Sequence, residues 1–270
     1  MRREGLSLIN GERMDCVNAL DRGLHYGDGV FRTLKVAAGE VRWWWDQYRK
    51  LDEDCAALGI ACPDKAMLEA EVRQLAREPG VGVVKIVVTR GSGRRGYGIP
   101  ADAAPARIVM GFPFSGRENL DVRVRWCELR LSSQPRLAGV KHLNRLENVL
   151  ARSEWEDAGI AEGLLLDETG HAICGTMSNL FIVEQETLAT PSLSGCGVAG
   201  VARGRILRAA ERQGLAVKVE PLPRERLLAS DGLFLCNSLI GVWRVADLEE
   251  KHWPDDGWAE KLRNWLDEDH

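Results

Sequence analysis

Short β-branched runs and stretches of helical spacing alternate along this whole chain, and that alternation most restricts the fold open to it. Residues 6–10 read as a strand turned by Gly11, and 31–36 as another. Tyr48, Leu51, Cys55 and Leu58 recur at helical steps within 46–60, and Leu68, Val72 and Leu75 do so within 64–77. Strands are expected at 83–89 and 107–112. Val122, Val124 and Trp126 alternate with Arg123 and Arg125, the pattern of a half-buried strand. A helix is expected to open at Lys141, because Leu143, Leu146, Val149 and Leu150 fall on one stripe. Strand, turn and strand follow in "GLLLDETGHAI", then the strand "NLFIV", a Gly-rich turn into a helix, the strand "AVKVE", the helix start "PRERLLAS", the strand "GLFLCN" and a last helix near 258–266. The class is α/β (α+β). The polar, turn-rich "FSGRENLD" marks the expected division into an N-terminal α/β domain, 1–115, and a C-terminal domain, 116–270.

Composition narrows the function. Of 270 residues, 45% are hydrophobic and 28% charged, with a formal net charge of −4, and no polybasic block points to nucleic acid or an anionic membrane. No apolar run approaches a membrane span. Residues 1–7 carry charge without an apolar core, so no signal peptide is expected and the cytoplasm is the expected compartment. The seven cysteines are scattered without a C-x-x-C pair, and the five histidines show no H-E-x-x-H, so neither a metal site nor a disulfide framework is expected. A small-molecule substrate remains.

Three stretches carry candidate chemistry. In "RLAGVKHLNRLENVL", Lys141 follows a small, apolar run and precedes a helical pattern. Partial burial near a helix start disfavours the charged ammonium, and a neutral amine is what Schiff-base chemistry needs. Taken alone, the spacing favours an exposed lysine near a helix start, and His142 as a packing neighbour. In "GCGVAGVARGRIL", Gly195, Gly197 and Gly200 precede a helix starting near Val201, which offers backbone N–H groups to a phosphate; a flexible loop is the alternative. The loop "TRGSGRRGYG" sets Arg90, Arg94, Arg95 and Tyr97 among glycines, suited to forked carboxylate recognition or simply to solvation. The run Trp43, Trp44 and Trp45 cannot all face one side and is expected to serve packing.

Four motifs, "DRGLHYGDGVFRTLKV", "TRGSGRRGY", "LAGVKHLNRLENVL" and "GVAGV", stand in the order seen in fold-type IV pyridoxal-phosphate enzymes. The chain resembles that group from Leu8 to about Trp243, and "LAGVKHLNRLE" and "RGSGRRGY" resemble its aminodeoxychorismate lyases in particular. The resemblance implies a two-domain, D-amino-acid-aminotransferase-like architecture with pyridoxal 5'-phosphate (PLP) in the interdomain cleft. Lys141 would be the Schiff-base lysine, carried by the C-terminal domain, and Thr33 would lie near it on a strand. Val198, Ala199, Gly200, Val201 and Ser238 would hold the phosphate. Phe31, Arg95 and Tyr97 would meet the substrate, with the arginine loop reaching over from a neighbouring subunit of a homodimer.

Two of the implied cofactor positions depart from the family. Where relatives carry a glutamate facing the pyridine nitrogen, this chain has Cys174. Where they carry a phosphate-binding arginine in "H-x-x-R-L", "QYRKL" places Lys50. A thiol gives the ring nitrogen no carboxylate, and a lysine keeps the charge but loses the fork. The expected activity is a lyase converting 4-amino-4-deoxychorismate to 4-aminobenzoate and pyruvate, a step toward folate. The alternatives are a D-amino-acid or branched-chain aminotransferase, and a non-catalytic relative with a degraded cofactor site.

Overall fold

The structure is a computed structural model that describes residues 6–117 and 119–267; residues 1–5, on which the signal-peptide reading partly rests, lie outside them. The chain divides into two compact units. One comprises Met1–Gly116 with Val140–Asn144, the other Arg117–Gly139 with Arg145–His270. The first division falls beside the expected one. Lys141, however, belongs to the first unit and not to the C-terminal residues that flank it in sequence, because its main chain pairs with a strand of the first unit.

The first unit contains β1 (Ser7–Ile9), β2 (Glu12–Arg13), α1 (Arg22–Tyr26), β3 (Gly29–Ala37), β4 (Glu40–Val41), α2 (Trp44–Leu58), α3 (Lys65–Ala76), β5 (Val83–Thr89) and β6 (Ala106–Phe112). Its six strands form an antiparallel sheet in the order β2-β1-β6-β5-β3-β4. The turn between β1 and β2 places both Asn10 (φ 52°) and Gly11 (φ 93°) in the left-handed region, as a two-residue hairpin requires. Period two along β3 sends Val30, Leu34 and Val36 into one core with Val84, Ile86 and Val88 of β5 and with Leu51, Cys55, Leu68, Val72 and Leu75 of the two helices. Full burial of each such aliphatic side chain contributes about 1.5–3 kcal/mol. Phe31, Thr33 and Lys35 therefore point to the opposite face of the sheet. Helix α2 stops at Gly59 (φ 62°), and α3 starts under Asp64, whose carboxylate accepts the Met67 N–H at 2.9 Å.

The second unit contains β7 (Asp121–Leu131), α4 (Leu146–Arg152), β8 (Ile160–Asp167), β9 (His171–Gly175), β10 (Asn179–Glu184), β11 (Thr187–Pro191), α5 (Val201–Arg212), β12 (Val217–Glu220), β13 (Leu222–Pro223), α6 (Arg224–Ala229), β14 (Gly232–Asn237), β15 (Gly241–Leu248), β16 (Lys251–His252) and α7 (Trp258–Asp267). Strands β10, β14, β15, β7, β8 and β9 pair in turn, and the single pair Asn179–Cys174 joins β10 back to β9, which closes a barrel. Alternate residues of all six strands, among them Val124, Leu164, Ala172, Leu180, Leu235 and Val245, form one buried cluster inside it. Arg203 of α5 is buried against β11, donating to Thr190 Oγ1 and the Pro191 carbonyl.

Two elements differ from the sequence expectation. The segment read as a loop before β3 contains α1, a five-residue helix. Asp21 caps it through the Gly23 N–H at 2.7 Å and Gly27 (φ 63°) closes it, so local caps form the helix without an apolar stripe. The helix expected to open at Lys141 opens at Leu146 instead. Leu143 donates its N–H to the Gly29 carbonyl at 2.9 Å, and strand-like pairing there overrides the helical spacing. Among the described residues no helix is long and apolar enough to cross a membrane, and no group of three or more His, Cys, Asp or Glu is placed to hold a metal ion.

Candidate active site

In the first unit the chemistry gathers beside β3. Lys141 accepts the Phe31 N–H at its carbonyl (3.0 Å), Val30 and His142 form an isolated β-bridge, and Leu143 bonds to Gly29. Residues 141–143 thus extend the sheet locally along β3. The Lys141 amine lies over the Phe31 ring, 4.5 Å from its centre, so it stands on the face opposite the helices. Thr33 is two residues along on that face. Its cross-strand partner is Lys85, whose amine lies 5.0 Å from the same Phe31 ring.

Beneath the other face, α2 supplies Asp54, which is fully buried. One of its carboxylate oxygens accepts the Lys141 N–H at 3.1 Å and also the Arg32 guanidinium of β3; the other accepts the Lys50 amine at 2.6 Å. Lys50 is therefore already paired. Burial pushes the Arg32 guanidinium below its ordinary value, while the Asp54 charge beside it acts the other way. Arg32 and Asp54 escaped the sequence reading. A charge at an inward position between Val30 and Leu34, and an acid four residues after Lys50 on a helix, were the available signals.

Arg95 and Tyr97 lie on the loop after β5. Arg95 is exposed, and Tyr97 is 86% exposed. The backbone beneath them is fastened. Arg22 donates to the carbonyls of Gly96 (3.0 Å), Tyr97 (3.2 Å) and Gly98 (3.2 Å), and Tyr26 accepts the Gly96 N–H at 3.0 Å. Asp28 in turn accepts from Arg22 and Arg90, each at 2.8 Å. Burial raises the Asp28 carboxyl, but the two guanidinium partners outweigh it and hold it below the usual carboxylate value.

In the second unit Asn179 connects three of the expected residues. Its side chain donates to the Val198 carbonyl at 2.8 Å and accepts the Gly200 N–H at 3.1 Å, while Cys174 is its partner across the barrel closure. A Cβ on Gly200 would fall 2.3 Å from that Asn179 oxygen, so a larger residue there would have to displace the Asn179 side chain. Helix α5 then starts at Val201 with no side-chain cap. Gly139 holds the preceding turn through two backbone bonds of 3.0 Å, donating to the Gly197 carbonyl and accepting the Ala199 N–H. Ser238 sits in the β14–β15 turn, which Asn237 shapes by accepting the N–H groups of Leu239 and Ile240. Cys174 is buried among Cys127, Ile173 and Cys196. Burial first, then the nearby Glu162 charge, push its thiol far above the ordinary value, so it stays protonated.

Glu162 also went unread in the sequence. It is 1% exposed, and its carboxylate accepts from Gly163 N, Thr176 N, Thr176 Oγ1, Met177 N and Ser178 Oγ. It holds the 175–178 turn from which Asn179 springs.

Within the first unit, an amine resting on an aromatic ring suits a phosphorylated aldehyde cofactor. Within the second, an uncapped twelve-residue helix start presents N–H groups of the sign a phosphate needs, while the residue expected at the ring nitrogen is a neutral thiol.

The two-sheet architecture is that of the fold-type IV aminotransferase-like α/β proteins. Residues 29–248 match the model of the amino-transferase class IV family, and the chain belongs to that family. It is 34% identical to the aminodeoxychorismate lyase of Vibrio harveyi over 245 residues, covering 89% of this chain and 90% of that one. The crystal structure of 4-amino-4-deoxychorismate lyase from Pseudomonas aeruginosa superposes with a TM-score of 0.92 at 43% identity, over 97% of this chain and 98% of that one. A hypothetical aminotransferase from Mycobacterium tuberculosis, in its PLP-bound form, shares the fold with a TM-score of 0.83 at 20% identity, over 97% of each chain.

Proposed function

We propose that this protein is a PLP-dependent lyase that converts 4-amino-4-deoxychorismate to 4-aminobenzoate and pyruvate. The observation that carries the reading is the placement of Lys141. Both of its main-chain polar groups are tied down while its amine rests on Phe31. The likeness to two aminodeoxychorismate lyases over nearly the whole chain supports the choice of reaction.

Bound PLP would supply an electron sink at the carbon bearing the substrate amine. The α5 start, with Val198, Ala199, Gly200 and Val201, would hold its phosphate, assisted by Ser238. Lys141 would give up its place to the substrate amine, take the proton from C4 of the substrate ring, and deliver it to the methylene carbon of the departing enolpyruvyl group. The C–O bond breaks, the ring becomes aromatic and pyruvate leaves; no water is consumed. Thr33 would lie beside the moving proton. Lys50, balanced by Asp54, would add positive charge near the phosphate. Arg95 and Tyr97, standing exposed on a fastened loop, would serve the substrate carboxylates of a second copy in a homodimer.

The neutral thiol at Cys174 weighs against an aminotransferase. Transamination depends on a strongly stabilised carbanion and hence on a protonated ring nitrogen, whereas aromatisation helps drive the lyase step. The test is an absorbance spectrum of purified protein with PLP, borohydride reduction with peptide mapping, and an assay for 4-aminobenzoate. A reducible band mapped to Lys141 together with product formation is expected, and Lys141→Ala removes both. A spectrum without that band and an assay without product would overturn the reading in favour of a non-catalytic relative. Amino exchange with 2-oxo acids in place of product would favour an aminotransferase. Light scattering, with twice the chain mass expected, tests the dimer.

A further inference from the structure

We propose that Asp54 is the positioning residue of Lys141, an inference that rests on the reading of Lys141 as the cofactor lysine. Asp54 is wholly buried in α2, and its carboxylate is shared by the Lys141 N–H, Arg32 and Lys50. With the Lys141 carbonyl bound to Phe31, the peptide groups on both sides of this residue are held. The side chain therefore leaves from a fixed main chain, against the ring of Phe31. A precise starting point matters for a group that must reach two different carbons in one turnover.

Stability alone does not account for the pair. A buried ion pair recovers its desolvation cost only with good geometry and every remaining donor satisfied, and apolar residues of similar size often stabilise a core better. Arg32 fails that condition. It is 2% exposed, and its Nε is buried without a hydrogen-bond partner among the described residues. What the apolar substitute cannot supply is an acceptor for the Lys141 N–H. The carboxylate needs Arg32 and Lys50 as counter-charges to be tolerated at this depth; one oxygen takes the Lys50 amine, and the other accepts both the Arg32 guanidinium and the Lys141 N–H. Arg32 therefore acts on the Lys141 N–H through Asp54.

Two variants separate positioning from support of the fold. Asp54→Asn keeps a carbonyl oxygen for the Lys141 N–H but removes the charge that balances Arg32 and Lys50. Arg32→Met with Asp54→Leu removes both buried charges, repacks the core and leaves no acceptor. The readouts are melting of the cofactor-free protein, hydrogen exchange of the peptide spanning 140–143, visible circular dichroism of bound PLP, and the rate of bond formation between PLP and Lys141. Positioning predicts a crossover. Asp54→Asn melts lower yet, below its melting point, keeps exchange protection, dichroism and a rate within about threefold of the original protein. The double variant melts at or above the original temperature yet loses protection at 140–143, loses most of the dichroism and reacts at least about tenfold more slowly, as expected for losing one hydrogen bond to a charged group. If dichroism and rate instead follow the melting temperature in both variants, Asp54 merely supports the fold and the inference is overturned. If the unaltered protein forms no bond with PLP at Lys141, the reading of the lysine itself has failed, which is a different result from either.

Discussion

Removing the Glu162 carboxylate strands donors that have few other places to go, and the cost follows from their geometry. Five donors converge on it from Gly163 and the 176–178 turn. In Glu162→Ala the two hydroxyls can rotate to other acceptors, and the Thr176 N–H retains the Gly163 carbonyl at 3.0 Å. The N–H groups of Gly163 and Met177 cannot re-aim. At ~1–3 kcal/mol for each stranded donor, with further loss from the vanished charge-assisted bonds, the expected destabilisation is about 3–5 kcal/mol. At ~2–4 °C per kcal/mol this lowers the thermal midpoint by roughly 6–20 °C. Glu162→Gln keeps one oxygen and turns its amide toward Met177 and Ser178. Ser178 can reverse its bond and Met177 cannot, so about half the loss is expected, ~1.5–3 kcal/mol. Urea and thermal unfolding of the three proteins measure the order. A Gln variant indistinguishable from the original protein would refute the argument that the full carboxylate holds the turn.

Other consequences are accessible to simple measurements. Arg22→Ala frees the carbonyls of Gly96, Tyr97 and Gly98, so tryptic cleavage after Arg94 or Arg95 in otherwise folded protein rises about tenfold, given ~1.5–3 kcal/mol for bonds from a charged donor. Asp28 is held below the usual carboxylate value, so its contribution to stability is present above the unfolded value of about 3.9 and is lost as pH falls through its lower folded value; Asp28→Asn flattens that limb of the acid-unfolding curve. Cys16 is exposed, and Cys55, Cys127, Cys174, Cys196 and Cys236 are buried, so a thiol reagent at neutral pH modifies Cys16 first and reaches all seven cysteines only after unfolding. Rapid modification of Cys174 would contradict its buried, protonated state.

The sequence made the regular elements legible where their patterns are local. Strand β5 shows as a β-branched run, and α2 as a stripe of Tyr48, Leu51, Cys55 and Leu58 ended by Gly59. The same reasoning failed at 141–145, since spacing reports a stripe and not what the stripe faces. Leu146, Val149 and Leu150 are 68%, 61% and 50% exposed, while Leu143 is taken up by pairing with Gly29. The motifs picked out Lys141, the Gly200 turn and the arginine loop. They could not pick out Asp54, 87 residues away from the lysine whose N–H it holds, or Glu162, which reaches over to 176–178. Such partners are set by register between distant segments, and no local pattern encodes that.

The membership of Lys141 has a consequence for how this protein can be divided or recombined. Its unit is not a contiguous piece of chain: five residues, Val140–Asn144, come from a stretch whose neighbours on both sides build the other unit. A gene fragment ending at Gly116 would encode Phe31, Arg32 and Asp54 but no lysine. One starting at Arg117 would encode the lysine without the strand and the carboxylate that receive it. Neither half therefore inherits Lys141 together with its packing partners, and an exchange of halves between relatives is expected to succeed only if β3, α2 and residues 140–144 come from partners already matched to one another.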